Sequence, residues 1–278
     1  MTDLNRQAVD SVVEAVRGSA KYRNVMRELV RRIAAEEVGK HRRVKEAVKS
    51  TKNKLHQVAA AYLTGSVDYE QMLDEIRRAA ATGPEALRVA CATLMGNHAS
   101  TRERLGILDS FYRVILAGLP PIRSVLDLAC GLNPLALPWM GLTPNVRYYA
   151  CDVYEDLVSF LNRYFAIVGI TGEAWLCDLV QGPPARRVDL AFLLKTVPCL
   201  EQVNKAAGAR LLEGVRASYL LVSFPARSLG GRQKGMAANY EARFRDLIAG
   251  RPWSYRKLEF GTELAFLVTT EYARPRAP

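Results

Sequence analysis

Three acidic residues and a glycine stand in or beside the apolar runs of this sequence. Asp127 lies within the run Val125–Leu128, and Gly131 follows in a turn where the missing Cβ would let a ligand approach the backbone. Asp152 and Asp178 each close a later apolar run. An acid after the second strand of an α/β sheet suits the hydroxyls of a ribose, and one after the third suits an adenine amino group. The set predicts a site for an adenosine without phosphates, which points to S-adenosylmethionine, although either later acid alone could simply cap a helix or turn.

The elements that would position these residues form an alternating series. Five apolar runs, separated by helical stretches, end on polar residues or turns, which predicts a parallel doubly wound sheet of the α/β class. The runs are Val125–Leu128, Tyr148–Asp152, Ala174–Asp178, Val188–Lys195 and Tyr219–Phe224. A closing hairpin, predicted over Arg256–Phe260 and Glu263–Thr270, adds an antiparallel carboxyl-terminal strand.

Helical periodicity dominates the chain before the first strand. Apolar residues recur at i, i+3, i+4 and i+7 through Val9–Val16, Tyr22–Ile33 and Val44–Tyr62, which predicts three amphipathic helices. Asp68 suits a helix cap, and Gly83-Pro84 suits a break followed by a new helix. We expect residues 1–96 to form a helical domain and residues 97–278 to form the domain that binds S-adenosylmethionine.

The stretch Asn97–Leu105 enters the first strand through a further predicted helix. Ser100-x-x-Glu103 predicts a capping box at its start, and the helix is expected to run without interruption past Ile115. Arg104 lies one turn in, where its planar guanidinium could bind the carboxylate of a methionine moiety. A surface ion pair between Arg104 and Glu103 or Asp109 is the alternative.

Charge indicates a polyanionic partner. The chain has 39 Lys or Arg and 28 Asp or Glu, a net charge of +11, and residues 1–60 alone hold 14 basic and 7 acidic residues. Six basic side chains lie close together there and favour contacts with nucleic-acid phosphates over a merely solvated helix face. They are Arg42, Arg43, Lys45, Lys49, Lys52 and Lys54.

Composition argues against several other classes. The five cysteines contain no C-x-x-C pair, so neither a zinc site nor a disulfide framework is predicted. No apolar run approaches the ~20 residues that cross a bilayer, and Met1–Arg17 is unlike a signal peptide. We expect a cytoplasmic protein with no membrane partner and no metal.

Four motifs carry a resemblance to a known family. NHASTRERL, VLDLACGLNPLALPWMGL, LLKTVPCLE and SFPARSLGGRQKGMAANY occur in this order. They resemble the aminoglycoside-resistance 16S ribosomal RNA methyltransferases that modify N7 of a guanine in the decoding site. The similarity covers about residues 45–270. It implies a class I methyltransferase core with a Rossmann-like sheet, a helical extension that binds the 30S subunit and 16S rRNA, S-adenosylmethionine as cofactor, and a monomer.

The resemblance also implies which residues bind the cofactor. The family's positions fall on Tyr62, His98, Ala99, Ser100, Arg104, Ala129, Asp152, Asp178, Leu179 and Leu194. The family often has Gln two residues after the Glu of its PCLE motif. Val203 stands there in this sequence, and Gln202, one step earlier, is the candidate replacement.

The chemistry itself needs no catalytic side chain. Guanine N7 has a lone pair and no proton to lose, so alignment with the methyl donor suffices. N7 faces the deep major groove of A-form RNA, so the base must leave its stack. We expect the loop 226–235, with Arg227, Arg232 and Lys234, to hold the displaced strand, and Lys195 to point at an RNA phosphate or the guanine O6.

Two other functions are open. Val197-Pro198-Cys199 is also compatible with a cytosine-C5 methyltransferase that uses Cys199 as its nucleophile, although a buried structural cysteine is the simpler interpretation. A non-catalytic RNA-binding assembly factor with a degenerate fold is the other alternative.

Overall fold

The structure, a computed structural model, describes residues 3–57, 67–226 and 236–273. In that part of the chain, seven α-helices come before the first strand. They are α1 (Asp3–Arg17), α2 (Arg27–Val38), α3 (Val44–Leu55), α4 (Tyr69–Thr82), α5 (Pro84–Met95), α6 (Ala99–Arg104) and α7 (Leu108–Leu116).

The remainder alternates strands with helices, as the apolar runs predict. The strands are β1 (Ser124–Leu128), β2 (Arg147–Asp152), β3 (Thr171–Leu176), β4 (Arg187–Leu194), β5 (Arg216–Pro225), β6 (Ser254–Glu259) and β7 (Glu263–Thr269). The intervening helices are α8 (Leu137–Met140), α9 (Glu155–Val168), α10 (Thr196–Val203), α11 (Ala207–Gly214) and α12 (Met236–Ile248).

All seven strands join one sheet in the order β3-β2-β1-β4-β5-β7-β6. β1 to β5 are parallel, and β7 runs antiparallel to both β5 and β6. The α/β class, the doubly wound parallel sheet and the antiparallel carboxyl-terminal strand are therefore confirmed. The strand order reverses between β1 and β4, and such a switch point opens a crevice at the carboxyl ends of the strands.

The amino-terminal helices share a hydrophobic core with one face of the sheet. Val12 and Leu29 belong to the same buried cluster as Tyr148 of β2 and Phe160 of α9. The backbone of residues 24–26 also bonds the loop after β2, since Met26 N–H donates to Val153 O at 2.8 Å. The division into residues 1–96 and 97–278 stays a prediction, and the core is continuous across it.

Three local predictions were wrong. The helix predicted over Tyr22–Ile33 begins only at Arg27, because Val25 pairs with Tyr154 in a β-bridge. The capping box does not form, because α6 begins at Ala99 and Thr101 Oγ donates to Met95 O at 2.6 Å. The continuous helix past Ile115 is instead broken into α6, a 3₁₀ turn and α7.

Other predicted boundaries are confirmed. Asp68 caps α4 by accepting the Gln71 N–H at 3.0 Å, and Pro84 opens α5 after Gly83. The third helix is described as far as Leu55, with a π turn through residue 57, and Tyr62 lies outside the described residues.

Candidate cofactor site

A cleft opens at the carboxyl ends of β1, β2 and β4, at the switch point of the sheet. It encloses about 880 Å³ including its open mouth. Its lining comprises His98, Ser100, Arg104, Ala129, Cys130, Asn133, Asp152, Val153, Tyr154, Leu157, Cys177, Asp178, Leu179, Leu194, Lys195, Thr196, Cys199 and Leu200.

Most of the predicted site residues that the structure describes meet in this cleft. Those in its lining are His98, Ser100, Arg104, Ala129, Asp152, Asp178, Leu179, Leu194 and Lys195. Ala99 is buried and Gln202 is exposed, and neither belongs to the lining of the cleft. The Gln202 contact with the cofactor stays a prediction.

The turn after β1 borders the cleft and contains two residues with strained backbone conformations. Ala129 and Gly131 both have left-handed backbones, with φ of 51° and 50°. A Cβ on Gly131 would lie 2.9 Å from both Cε1 and Nε2 of His98. Glycine is required here for the packing of His98 and for the positive φ, and the ligand approach predicted at Gly131 stays a prediction.

His98 packs against this turn as a neutral group. Burial, together with the charges of Arg104 and Lys195, lowers the pKa of the imidazole to about 4. The ring therefore adds no positive charge to the cleft near neutral pH, which suits a binding side chain beside a cationic ligand.

The two predicted adenosine acids border the same cleft at the ends of neighbouring strands. Asp152 accepts the backbone N–H of Gly131 at 2.9 Å and that of Val153 at 2.7 Å. Burial raises the pKa of Asp152, against the opposing effect of these hydrogen bonds. Asp178, two residues beyond β3, accepts the Val180 N–H at 3.1 Å. Each carboxylate is thus held by the backbone while it lines the cleft.

Two cations in the cleft lining, Arg104 and Lys195, are paired with two carboxylates, Glu103 and Glu263. Arg104 donates to both oxygens of Glu263, at 3.1 and 2.9 Å, and to Asn133 Oδ1 at 2.8 Å. Lys195 Nζ lies 2.6 Å from Glu103 Oε2 and 3.6 Å from Glu263 Oε2. The four charges compensate one another, with Glu263 fully buried and the Glu103 side chain 37% exposed.

These contacts change two sequence-based interpretations. Arg104 is paired with neither Glu103 nor Asp109, because its fully buried guanidinium faces Glu263. Lys195 is turned inward, since its side chain is 2% exposed and a buried cation needs carboxylate partners, while its contact with an RNA phosphate or the guanine O6 stays a prediction. Burial alone would raise the pKa of Glu263, but Arg104 and Lys195 outweigh it and lower that pKa.

Asp127, interpreted from the sequence as a first cofactor contact, lies behind the cleft and not in its lining. Its Oδ2 accepts Asn133 Nδ2 at 2.8 Å and the Tyr148 hydroxyl at 2.7 Å. Burial raises its pKa to about 7, although both hydrogen bonds oppose the shift. Asp127 therefore supports Asn133, which in turn bonds Arg104.

Glu263 and Asn133 also belong to this site, although no sequence pattern predicted them. Glu263 is fully buried although it heads a strand that is otherwise apolar, ELAFLVT. A carboxylate at the start of such a strand is the one signal that could have identified it, because buried carboxylates need charged partners.

The predicted RNA-binding side chains differ in what they contact. Arg42, Arg43, Lys45 and Lys49 are exposed and Lys52 is half-buried. Lys54 Nζ instead forms salt bridges with the carboxylates of Glu36 and Glu37, at 3.0 and 2.9 Å. The loop residues predicted to hold the displaced strand, Arg227, Arg232 and Lys234, lie outside the described residues.

Cys199 borders the cleft, and its thiol donates to Lys195 O at 3.2 Å. Among residues 3–57, 67–226 and 236–273, no cluster of His, Cys, Asp or Glu is arranged to hold a metal ion. No helix within these ranges has the length and apolar character needed to span a membrane.

The residue types in the cleft fit S-adenosylmethionine. Acids that can accept hydrogen bonds from a ribose and an adenine line one part, a charge-balanced cluster lines another, and Leu157, Leu179, Leu194 and Leu200 supply apolar wall.

Comparison with known proteins agrees with this geometry. A family model described as ribosomal RNA methyltransferase (FmrO) matches residues 18–267. A 16S rRNA (guanine(1405)-N(7))-methyltransferase of Frankia casuarinae is 40% identical over 266 residues, covering 94% of each chain. The enzyme of that name from Micromonospora echinospora is 36% identical, covering 96% of this chain and 98% of its own.

Solved structures give the same result. The 16S rRNA methyltransferase RmtF, in complex with S-adenosyl-L-homocysteine, superposes with a TM-score of 0.79 at 34% identity, covering 97% of this chain and 99% of its own. The 16S rRNA methylase RmtB superposes with a TM-score of 0.76 at 30% identity, covering 95% of this chain and 98% of its own. With its doubly wound sheet, its cleft at the switch point and these relatives along nearly its whole length, the chain belongs to the FmrO family of ribosomal RNA methyltransferases.

Proposed function

We propose that this chain transfers a methyl group from S-adenosylmethionine to N7 of guanine 1405 in 16S rRNA, the reaction named for its relatives. The observation that carries the proposal is the pair of acids, Asp152 and Asp178, at the carboxyl ends of adjacent strands in the shared cleft. Asp152 would accept hydrogen bonds from the ribose hydroxyls, and Asp178 would accept one from the adenine amino group.

The cation end of the cleft suits the methionine moiety. A guanidinium has five N–H donors, of which three in Arg104 are engaged by Glu263 and Asn133. Arg104 can therefore offer further donors to a carboxylate without leaving Glu263. The remaining predicted cofactor contacts, from Ala99 and Tyr62, stay predictions.

Electrostatics in the cleft match the charge of the methyl donor. S-adenosylmethionine supplies an electrophilic methyl group on a positively charged sulfonium. Because Glu103 and Glu263 balance Arg104 and Lys195, and His98 is neutral, the chain's own groups do not repel that charge.

Catalysis then consists of alignment. Guanine N7 attacks through its lone pair and releases no proton, so no side chain has to act as a general base. Positioning of the two reactants can contribute ~7 to 11 kcal/mol in favourable cases. The chain's residues serve to bind, orient and exclude water.

We infer that the substrate is the assembled 30S subunit and that the protein acts in the cytoplasm as a monomer. The exposed basic side chains of α3 and its preceding turn would bind rRNA phosphates on a folded surface. The loop with Arg227, Arg232 and Lys234 would support a flipped guanine. Such recognition favours 30S subunits over naked 16S rRNA and weakens steeply with salt.

Methyl transfer from labelled cofactor tests this proposal. We expect incorporation into 30S subunits, poor incorporation into naked 16S rRNA, and strand cleavage at guanine 1405 after borohydride and aniline treatment. Cells that express the chain should resist gentamicin and kanamycin, because an N7 methyl removes a hydrogen-bond acceptor and adds a positive charge. Equal rates on both substrates would contradict surface recognition, and a methylated cytosine would contradict the assignment itself.

No observation favours the two alternatives. A cytosine-C5 mechanism needs the Cys199 thiol as nucleophile, whereas the relatives are N7 enzymes and this thiol donates to Lys195 O. Cys199→Ser should therefore retain methyl transfer and resistance, while Asp152→Ala should abolish both. Measurable S-adenosylmethionine binding would exclude a non-catalytic assembly factor with a degenerate cleft.

A further inference from the structure

The wall of the cleft beside Asp178 includes a contact from the amino-terminal helices. Arg32 on α2 donates from Nε to Asp178 Oδ2 at 2.7 Å, across 146 residues of sequence. The Asp178 side chain is 10% exposed and that of Arg32 is 21% exposed. A side chain from the region predicted to bind RNA thus touches the acid predicted to bind adenine.

This contact determines how the Asp178 carboxylate is oriented. Oδ1 is held by the Val180 N–H at 3.1 Å and Oδ2 by Arg32, so each oxygen has one donor. A carboxylate offers about four acceptor positions, which leaves capacity for an amino group in the cleft. Without Arg32, one backbone N–H would remain to resist rotation of the carboxylate.

Arg32 is itself held by ion pairs that extend to α3. Its Nη1 lies 3.1 Å from Glu36, and Lys54 lies 3.0 Å from Glu36 and 2.9 Å from Glu37. Glu37 is buried, and Lys40 lies 3.0 Å from it. The network runs unbroken from the cleft to the helix that carries the basic row, so the position of Arg32 is fixed on two sides.

One nitrogen of the Arg32 guanidinium remains to be used. Nε and Nη2 form one edge of a guanidinium, and the Nη2 atom is buried without a hydrogen-bond partner in the part of the chain that the structure describes. A buried donor of this kind costs free energy unless an acceptor is supplied. Arg32 is not in the lining of the cleft, so its effect on a bound adenine would pass through Asp178, which is.

We propose that Arg32 is a positioning residue for the adenine end of the cofactor site, so that the amino-terminal helices complete the site as well as binding substrate. The proposal rests on the proposed function for the assignment of adenine to Asp178. It implies selectivity for a base with an exocyclic amino group, because Arg32 keeps Asp178 oriented as an acceptor. Hypoxanthine, which has a carbonyl oxygen in place of that amino group, should be disfavoured.

The test compares S-adenosylhomocysteine with its hypoxanthine analogue, S-inosylhomocysteine, by calorimetry on the full chain. Wild type should prefer the adenine ligand. Arg32→Ala should weaken binding of the adenine ligand about tenfold or more, the scale of a charge-assisted hydrogen bond, and should reduce the preference. Arg32→Lys, which retains the charge without the planar guanidinium, should fall between the two.

Arg31→Ala is the matched control. Arg31 is the next residue on α2 and pairs with Asp10 at 2.5 Å, away from the cleft, so its removal should change neither affinity nor preference. Arg32→Ala with the affinity and preference of wild type would overturn the inference. So would an equal loss for both ligands, since a purely structural role would lower both affinities together.

Asp178→Ala separates this inference from the proposed function, because it removes the acceptor. If Asp178→Ala abolishes the preference and Arg32→Ala does not reduce it, Arg32 has no positioning role and the adenine assignment stands. If Asp178→Ala keeps the preference of wild type, the adenine assignment itself is wrong, and the inference is overturned with it. Should Arg32→Ala not fold, the same comparison is made with Arg32→Lys, where an unchanged preference overturns the inference.

Discussion

The guanidinium of Arg104 and the carboxylate of Glu263 form two hydrogen bonds, of 3.1 and 2.9 Å, and neither side chain is exposed to solvent. The pair joins α6 to the antiparallel strand β7, across 159 residues of sequence. Glu263 also lies 3.6 Å from Lys195 and accepts the Ser223 hydroxyl at 2.5 Å. This carboxylate therefore compensates Arg104 fully and Lys195 in part, together with Glu103.

Replacement of Glu263 by Gln should weaken S-adenosylmethionine binding more than S-adenosylhomocysteine binding. The substitution leaves Arg104 and Lys195 with one uncompensated positive charge, which repels a sulfonium and not a neutral thioether. Stability should also fall, by about 3 kcal/mol, because a buried ion pair loses one partner. Calorimetry with both ligands and a urea unfolding curve measure these effects. Equal losses for the two ligands would contradict the charge argument, and Glu173→Gln, which affects a surface pair with Arg186, is the control.

Gly131→Ala should destabilise the protein more than Gly141→Ala. Both glycines have left-handed backbones, with φ of 50° and 57°, so both substitutions incur about 1 to 2 kcal/mol of backbone strain. The new Cβ at Gly131 would also lie 2.9 Å from His98, whereas nothing lies within 4 Å of a Cβ at Gly141. The difference between the two unfolding free energies measures the His98 packing term. Identical losses would show that His98 moves away without cost.

Asp127→Asn should flatten the decline of stability as the pH rises towards neutrality. Burial raises the folded pKa of Asp127 from 3.8 to about 7, so between these values the folded protein retains a proton that the unfolded chain has lost. Protonated Asp127 therefore contributes its full stabilising free energy below the unfolded pKa. This contribution, up to about 4 kcal/mol, is lost as the pH rises through the folded pKa. Urea unfolding of both proteins between about pH 5 and pH 8 gives the difference curve. His98 is present in both and cancels, and a flat difference curve would contradict the prediction.

Lys49 and Lys54, on the same helix, should respond differently to substitution by Ala. Lys49 is exposed, so Lys49→Ala should weaken 30S binding and reduce its salt dependence by about one phosphate contact while leaving stability unchanged. Lys54 donates to the buried carboxylate of Glu37, whose pKa burial would raise but which Lys54, Ser50 and Lys40 lower to about 2. Lys54→Ala should therefore cost about 1 kcal/mol of stability. Sedimentation with 30S subunits and thermal unfolding separate the two effects, and a destabilised Lys49→Ala protein would refute the contrast.

The sequence by itself determined the fold class and about half of the residues that line the cleft. The apolar runs place Asp152, Asp178 and Leu194 at or just beyond the carboxyl ends of strands. A parallel sheet brings those strand ends together at one edge, regardless of side-chain packing. The amino-terminal helices, the Asp68 cap and the start of α5 at Pro84 could also be predicted, because they depend on local hydrogen bonding and periodicity.

Tertiary structure alone decided which charges meet. Arg104 pairs with Glu263 and Arg32 with Asp178 across 159 and 146 residues, and no local pattern specifies such pairs. It also turned Lys195 inward and placed Asp127 behind the cleft, because a buried ionisable group takes the partners that the packed core leaves near it. Helical spacing predicted Lys54 as one more member of a basic row, but the packing of α2 against α3 joined it to Glu36 and Glu37.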